Sequence, residues 1–162
     1  MPDEATIQRA KKDRREGKSP STQAGEFVRE EMEHIRKGKH GARSTKQAIA
    51  IGLSKARRAG VKLPTPKRGT SARTRRHAQR DAAAARHPHK PAARRSRATT
   101  QALKREGHSA ASHRALSRQA RSAAAKRSAA SRSAAARKAA RTKGPARRSA
   151  AAKKAARTRR SG

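Results

Sequence analysis

Branched aliphatic residues are concentrated in one short stretch of the chain. The segment STKQAIAIGLSKARRAGVKLP, residues 44–64, holds five of the ten Ile, Leu and Val residues. Its apolar positions recur every three to four residues, which predicts an amphipathic α-helix. Ser44 and Gln47 fit a capping box that begins this helix, and Gly60 fits the residue that ends it.

Two further helices are predicted upstream, over residues 3–16 and 21–37, each followed by a glycine. The second has an apolar face, so it can pair with the helix of residues 44–64 as a helical hairpin over residues 19–64, while residues 1–18 form a separate helix. A unit this short is marginally stable, which favours a bound ligand or a homodimer through residues 21–63. The residues expected to form its core or dimer contact are Phe27, Val28, Ile35, Ile49, Leu53 and Val61.

The pattern changes after Pro64, because Leu103 and Leu116 are the only branched aliphatic residues that follow. Residues 65–162 are therefore predicted to be a disordered tail rich in Ala, Arg, Lys and Ser. The fold class expected for the chain is mostly disordered, with a small all-α module at its N-terminal end. Within the tail, SAAARKAARTK (133–143) and SAAAKKAARTR (149–159) are identical at nine of eleven positions, and both differences exchange Lys and Arg.

The charge of the chain indicates a polyanionic partner. There are 46 basic and 10 acidic residues, and residues 67–162 alone hold 30 basic and 2 acidic ones, a net charge of +28. Such a charge density favours phosphate binding with release of counterions. The predicted nucleic-acid contacts are Lys46, Lys55, Arg57, Arg58, Lys67, Arg68, Lys126, Arg127, Arg137, Lys138, Arg141, Lys143, Arg147, Arg148, Lys153, Lys154, Arg157, Arg159 and Arg160.

The sequence KQAIAIGLSKARRAG, preceded by EHIRKGKHGARS, resembles a small uncharacterised bacterial domain with the pattern QAIAIALSEA after a basic residue. The resemblance covers about residues 26–64, and members are often labelled as plasmid-stabilisation or DNA-binding proteins. This chain has Gly52 where Ala is usual and Lys55 where Glu is common. The Ala-rich repeats are also similar to the tails of linker histones and bacterial histone-like proteins.

Other chemistries have little support in the sequence. There is no Cys, and no apolar segment suggests a signal peptide or a membrane span, so we expect a cytoplasmic protein of the bacterial nucleoid. Gly17-Lys18-Ser19 lacks the glycine and the strand that a phosphate-binding loop requires. The seven histidines are expected to bind metal only adventitiously, and Glu30, Glu31 and Glu33 are expected to form solvated intrachain pairs. We therefore expect no enzyme, no cofactor and no metal site.

The composition favours a nucleoid-associated, histone-like protein that coats, bridges or compacts DNA through phosphate contacts without reading sequence. Two alternatives stay open. The chain could bind RNA in a chaperone-like role, since Arg-rich segments also bind RNA. It could instead serve as an interaction or plasmid-maintenance adaptor, in which the hairpin docks on a partner and the charge only steers association.

Overall fold

A computed structural model describes residues 2–66, 70–86 and 92–160 of the chain. Within these ranges the backbone is helical over most of its length. The α-helices are α1 (Glu4–Arg15), α2 (Pro20–Arg36), α3 (Thr45–Arg58), α4 (Ala72–Ala84), α5 (Ala93–Lys104), α6 (His113–Ala125) and α7 (Ala129–Arg160), with a 3-10 turn at Ser109–Ala111. No helix in the described ranges combines the length and the apolar character that a membrane span needs.

The expectation of a mostly disordered chain is wrong, because 77% of the residues are helical and helices continue through the predicted tail. That expectation rested on the scarcity of large apolar side chains. A helix, however, satisfies its backbone hydrogen bonds locally, and Ala, Arg and Lys are among the residues with the highest helix propensity. Formation of α4, α5, α6 and α7 therefore does not require the large tertiary core that the composition excludes.

The first three helices begin and end near the predicted positions. Ser44 Oγ accepts a hydrogen bond from the Gln47 backbone N–H at 3.2 Å, as the capping box requires. The reciprocal bond of a capping box would join the Gln47 side chain to the backbone N–H of Ser44. Here the Gln47 side chain instead accepts from the backbone N–H of Arg43 at 2.8 Å. At the other end of α3, Gly60 has a φ of 87°, the left-handed conformation expected of a helix-terminating glycine.

Two apolar clusters hold α1, α2 and α3 together. Phe27 and Ile35 are fully buried, one in each cluster. Val28 and Ile49 pack at half-buried positions against the cluster of Ile35, while Leu53 and Val61 pack against that of Phe27. The apolar residues of the hairpin are therefore covered largely by the chain itself.

The core also includes residues far beyond the predicted boundary at residue 64. Ala110 and Ala111 are buried against the Ile35 cluster, and Leu116 packs on the same cluster. The hydroxyl of Thr45 donates a hydrogen bond to the Ala110 carbonyl at 2.7 Å, which ties this segment to the start of α3. The first compact unit consequently comprises residues 1–119.

Two glycines allow close backbone approaches within this unit. A Cβ at Gly41 would lie 1.8 Å from the carbonyl oxygen of Glu106, and one at Gly52 would lie 2.7 Å from the Cα of Val28. The backbone N–H of Gly41 donates to the Leu103 carbonyl at 2.9 Å. These contacts set how closely α3 crosses α2, and how closely the segment after α5 lies on the loop between α2 and α3.

The second compact unit, residues 120–162, contains the end of α6 and all of α7. Helix α7 is interrupted at Gly144, whose φ of 65° and ψ of 168° are not helical, immediately before Pro145. The interruption separates the two copies of the repeat, since 133–143 precedes Gly144 and 149–159 follows Pro145.

Candidate nucleic-acid interface

Helix α7 presents a dense array of exposed basic side chains. No acidic residue follows Glu106 in the sequence, whereas residues 107–162 contain 17 Lys and Arg residues. At 100° per residue the basic positions of α7 are spread around the whole helix, so no single face is reserved for packing. The predicted contacts that are exposed here and in the preceding turn are Lys126, Arg127, Arg137, Lys138, Arg141, Arg147, Arg148, Lys153, Lys154, Arg157, Arg159 and Arg160.

Helix α3 contributes fewer exposed cations than the sequence predicts. Lys46 is exposed in its first turn and Arg58 in its last, while Arg57 is half-buried and lines a shallow cleft together with Arg86, which follows α4. Three of the predicted contacts cannot be placed in this way. Lys67, Arg68 and the side chain of Lys143 lie outside the described residues.

Lys55 is directed into the chain. Its Nζ lies 2.8 Å from Glu31 Oε2 and 3.1 Å from Glu30 Oε1. Burial disfavours the charged ammonium, but hydrogen bonding and charge attraction from Glu31 and then Glu30 outweigh it, so the pKa of Lys55 is raised above its ordinary value. The structure therefore uses this charge within the folded unit, and Lys55 does not join the exposed basic residues.

Glu30 and Glu31 do not form the solvated pairs expected from the sequence. Their residues are 3% and 0% exposed, whereas Glu33 is exposed and lies 3.9 Å from Arg29 and 4.0 Å from Lys37 across the helix surface. The expectation treated the three glutamates as one exposed group, but only Glu33 lies on the outer face of α2. Glu30 is also bound from the N-terminal side, because the backbone N–H of Asp3 donates to its Oε2 at 3.1 Å.

Two histidines complete this polar cluster. His34 Nε2 lies 3.1 Å from Asp3 Oδ2, and His40 Nε2 lies 3.4 Å from Glu31 Oε1. The hydrogen bond from His34, followed by charge attraction, lowers the pKa of Asp3 despite some desolvation. Neither histidine stood out in the sequence. The signal was the spacing of Glu31 and His34, since residues three apart are neighbours on a helix.

The chain is similar over part of its length to an uncharacterised family. Residues 5–68 match the model described as "Family of unknown function (DUF6496)", and this region contains α2, α3 and all of α1 except Glu4. The match supports a small uncharacterised domain over the first three helices, beginning before the region of resemblance seen in the sequence. The comparisons find neither a matching curated protein nor a matching solved structure.

Proposed function

We propose that the protein binds duplex DNA through phosphate contacts made by α7, without reading base sequence. The observation that carries this proposal is the helical array of exposed cations between residues 126 and 160, in a part of the chain that has no acidic residue. A helix lined on all sides with Lys and Arg can approach phosphates from several directions, and phosphate contacts carry no sequence information directly. The proposed place of action is the bacterial nucleoid.

The composition favours a duplex over an unpaired strand. Single-stranded nucleic acid is commonly held by stacking of bases on aromatic side chains. Phe27 is the chain's one Phe, there is no Tyr or Trp, and Phe27 is buried in the core. The remaining source of affinity is electrostatic, which both strands of a duplex supply at high density.

The resemblance to domains labelled as plasmid-stabilisation proteins fits such a role, but it rests on α2 and α3 and not on α7. In this proposal the first compact unit is a folded support, and the basic residues of the second unit supply the binding energy. Coating and bridging of DNA would then depend on how many duplexes the cations of one chain can reach.

The test compares two full-length variants that each lose four positive charges. In the first, Arg147, Arg148, Lys153 and Lys154 of α7 are changed to Gln, which preserves helix propensity. In the control, Lys11, Arg14, Arg15 and Lys62, which are exposed in the first unit, are changed to Gln. Affinity for a short DNA duplex is measured from about 50 to 200 mM salt, where phosphate contacts dominate the dependence.

The α7 variant should reduce the slope of log K against log[salt] by up to about 3.6, whereas the control should reduce it much less. Equal slopes for the two variants would show that α7 is not the interface. The same titrations with duplex RNA and with single-stranded DNA of equal length test the alternative. Tighter binding of the RNA duplex at matched salt would replace DNA by RNA as the partner.

A further inference from the structure

The buried polar cluster beside α2 has the composition of a metal site. Candidate ligand atoms of Glu31, His34 and His40 all lie within 4.8 Å of one another. Glu31 and His34 come from adjacent turns of α2, and His40 comes from the loop that follows it. Glu-x-x-His pairs on one helix face are a recurrent ligand arrangement in helical metalloproteins.

The distances in the cluster are close to those of a coordinated ion. Two atoms bound to Zn²⁺ at about 2.05 Å in tetrahedral geometry are about 3.3 Å apart. The contact between His40 Nε2 and Glu31 Oε1 is already 3.4 Å. The remaining ligand contacts need to shorten by at most about 1.5 Å, which side-chain rotation can provide.

The hydrogen bonds of the imidazoles leave a lone pair available on each ring. His40 Nδ1 lies 3.1 Å from the carbonyl oxygen of Gly41, which can only accept, so in the neutral ring Nδ1 carries the proton and Nε2, which lies 3.4 Å from Glu31 Oε1, keeps a lone pair. His34 donates from Nε2 to the Asp3 carboxylate at 3.1 Å, which leaves its Nδ1 unprotonated in the neutral ring. Bonds of this kind to a carbonyl or carboxylate orient the histidines of metal sites.

Glu31 itself lacks the partners that a buried carboxylate requires. The residue is 0% exposed, and within the described part of the chain Oε1 has no hydrogen-bond partner, while Oε2 is contacted by Lys55 Nζ at 2.8 Å. Lys55 lies on Oε2, so Oε1 is left facing the lone pair of His40. Two acceptors at 3.4 Å repel each other unless a proton or a cation lies between them.

The surrounding charges also favour a cation. Among the described residues, Asp3, Glu30 and Glu31 contribute three carboxylates. Lys55 contacts Glu30 and Glu31 directly, and Lys39 and Lys55 act on Asp3 from a distance. With neutral imidazoles the cluster has a net negative charge. A divalent ion at Glu31 would neutralise it without displacing Lys55 from Oε2.

The backbone around His40 is fixed before any ion binds. The N–H of Lys39 donates to the His34 carbonyl at 3.0 Å, and the N–H of Gly41 donates to the Leu103 carbonyl at 2.9 Å. Both neighbours of His40 are therefore held, and the ring needs only side-chain adjustment to bind. Binding sites hold their ligand residues on backbone that is ordered before the ion binds, and this distinguishes them from a chance pair of nearby histidines.

We propose that Glu31, His34 and His40 bind one divalent transition-metal ion, for which Zn²⁺ is the best fit. Two imidazoles and one carboxylate form a known zinc ligand set, which leaves a fourth position for water. Asp3 is a positioning residue that orients His34. The site would join the end of α2 to the loop before α3, where the segment after α5 packs.

The test uses untagged full-length protein that has been freed of metal with a chelator, with Zn²⁺ as the probe. Calorimetry should show one Zn²⁺ per chain, weakened at least 100-fold by His40→Gln or His34→Gln. Asp3→Asn should weaken binding about tenfold, as expected of a residue that orients a ligand. A control that changes the exposed His77 and His113 to Gln should bind as the unmodified protein does.

Circular dichroism shows whether each variant is folded, and NMR of the unmodified protein gives an answer that does not depend on variants. Zn²⁺ should shift the imidazole resonances of His34 and His40 and leave those of His77 and His113 in place. Three results would overturn the proposal: no uptake, equal uptake by folded His40→Gln, or shifts spread over all histidines, which indicates adventitious binding only.

Discussion

Replacing Lys55 by Met should strongly destabilise the first compact unit. Met keeps most of the length and apolar volume of the side chain but removes the ammonium that lies 2.8 Å from Glu31 and 3.1 Å from Glu30. Both carboxylates are then left buried without their nearest cation. Loss of one partner from a buried ion pair commonly costs about 3–5 kcal/mol.

The lower end of that range applies here. The Lys55 side chain is 21% exposed, so water screens part of its interaction with the two carboxylates. We therefore expect a loss of about 3 kcal/mol. For a chain of this size that corresponds to a fall in Tm of roughly 10 °C.

The assay is urea unfolding followed by circular dichroism, with Lys46→Met as the matched control. Lys46 lies in the same helix but is exposed, so its replacement should change the free energy of unfolding by no more than about 0.5 kcal/mol. Adding Glu31→Gln to Lys55→Met should cost less than the sum of the single changes, because the charges are coupled. If Lys55→Met and Lys46→Met are equally stable, the buried pair does not contribute as argued.

Two further predictions concern the same unit. The pKa of Lys55 is raised from 10.5 in the folded protein, so the contribution of its ammonium to stability is complete below about pH 10.5 and is lost as pH rises through the pKa of the folded state. The difference in free energy of unfolding between the unmodified protein and Lys55→Met should therefore stay constant at pH 7–9 and narrow above about pH 10.5. Gly52→Ala should destabilise by about 1 kcal/mol, since the new Cβ meets Val28 at 2.7 Å, whereas Gly25→Ala, with open space around it, should stabilise by a similar amount. Equal effects of the two glycine substitutions on the urea midpoint would contradict the close crossing of α2 and α3.

The ends of the first three helices could be predicted because their signals are local. A capping serine, a glycine after the last turn and apolar residues at helical spacing act within a few positions of one another. The environment of Lys55 could not be predicted in this way. It depends on how α2 and α3 cross, and that crossing is set by the fit of Gly52 against Val28, for which the spacing of residues gives no register.

The contribution of residues beyond Pro64 to the core could not be predicted either, for a different reason. Ala110 and Ala111 are small and are surrounded in sequence by polar residues, so nothing in the pattern distinguishes them from the exposed alanines of α7. Their burial is visible only once the hydrogen bonds from Thr45 and Arg36 to this segment are known. Low content of large apolar residues excluded a large core, but it did not exclude helices.

The interruption at Gly144 has a consequence for how this protein can vary in length. Residues 133–148 form one period of the repeat and contain six basic residues. Because the helix stops at Gly144 and starts again at Pro145, duplication or deletion of one whole period adds or removes about 24 Å of helix together with one interruption. Each such event changes the charge by six and the salt slope by up to about 5. A change in the number of periods would therefore change the electrostatic affinity for a polyanion in discrete steps, without changing the sequence of the first compact unit, residues 1–119.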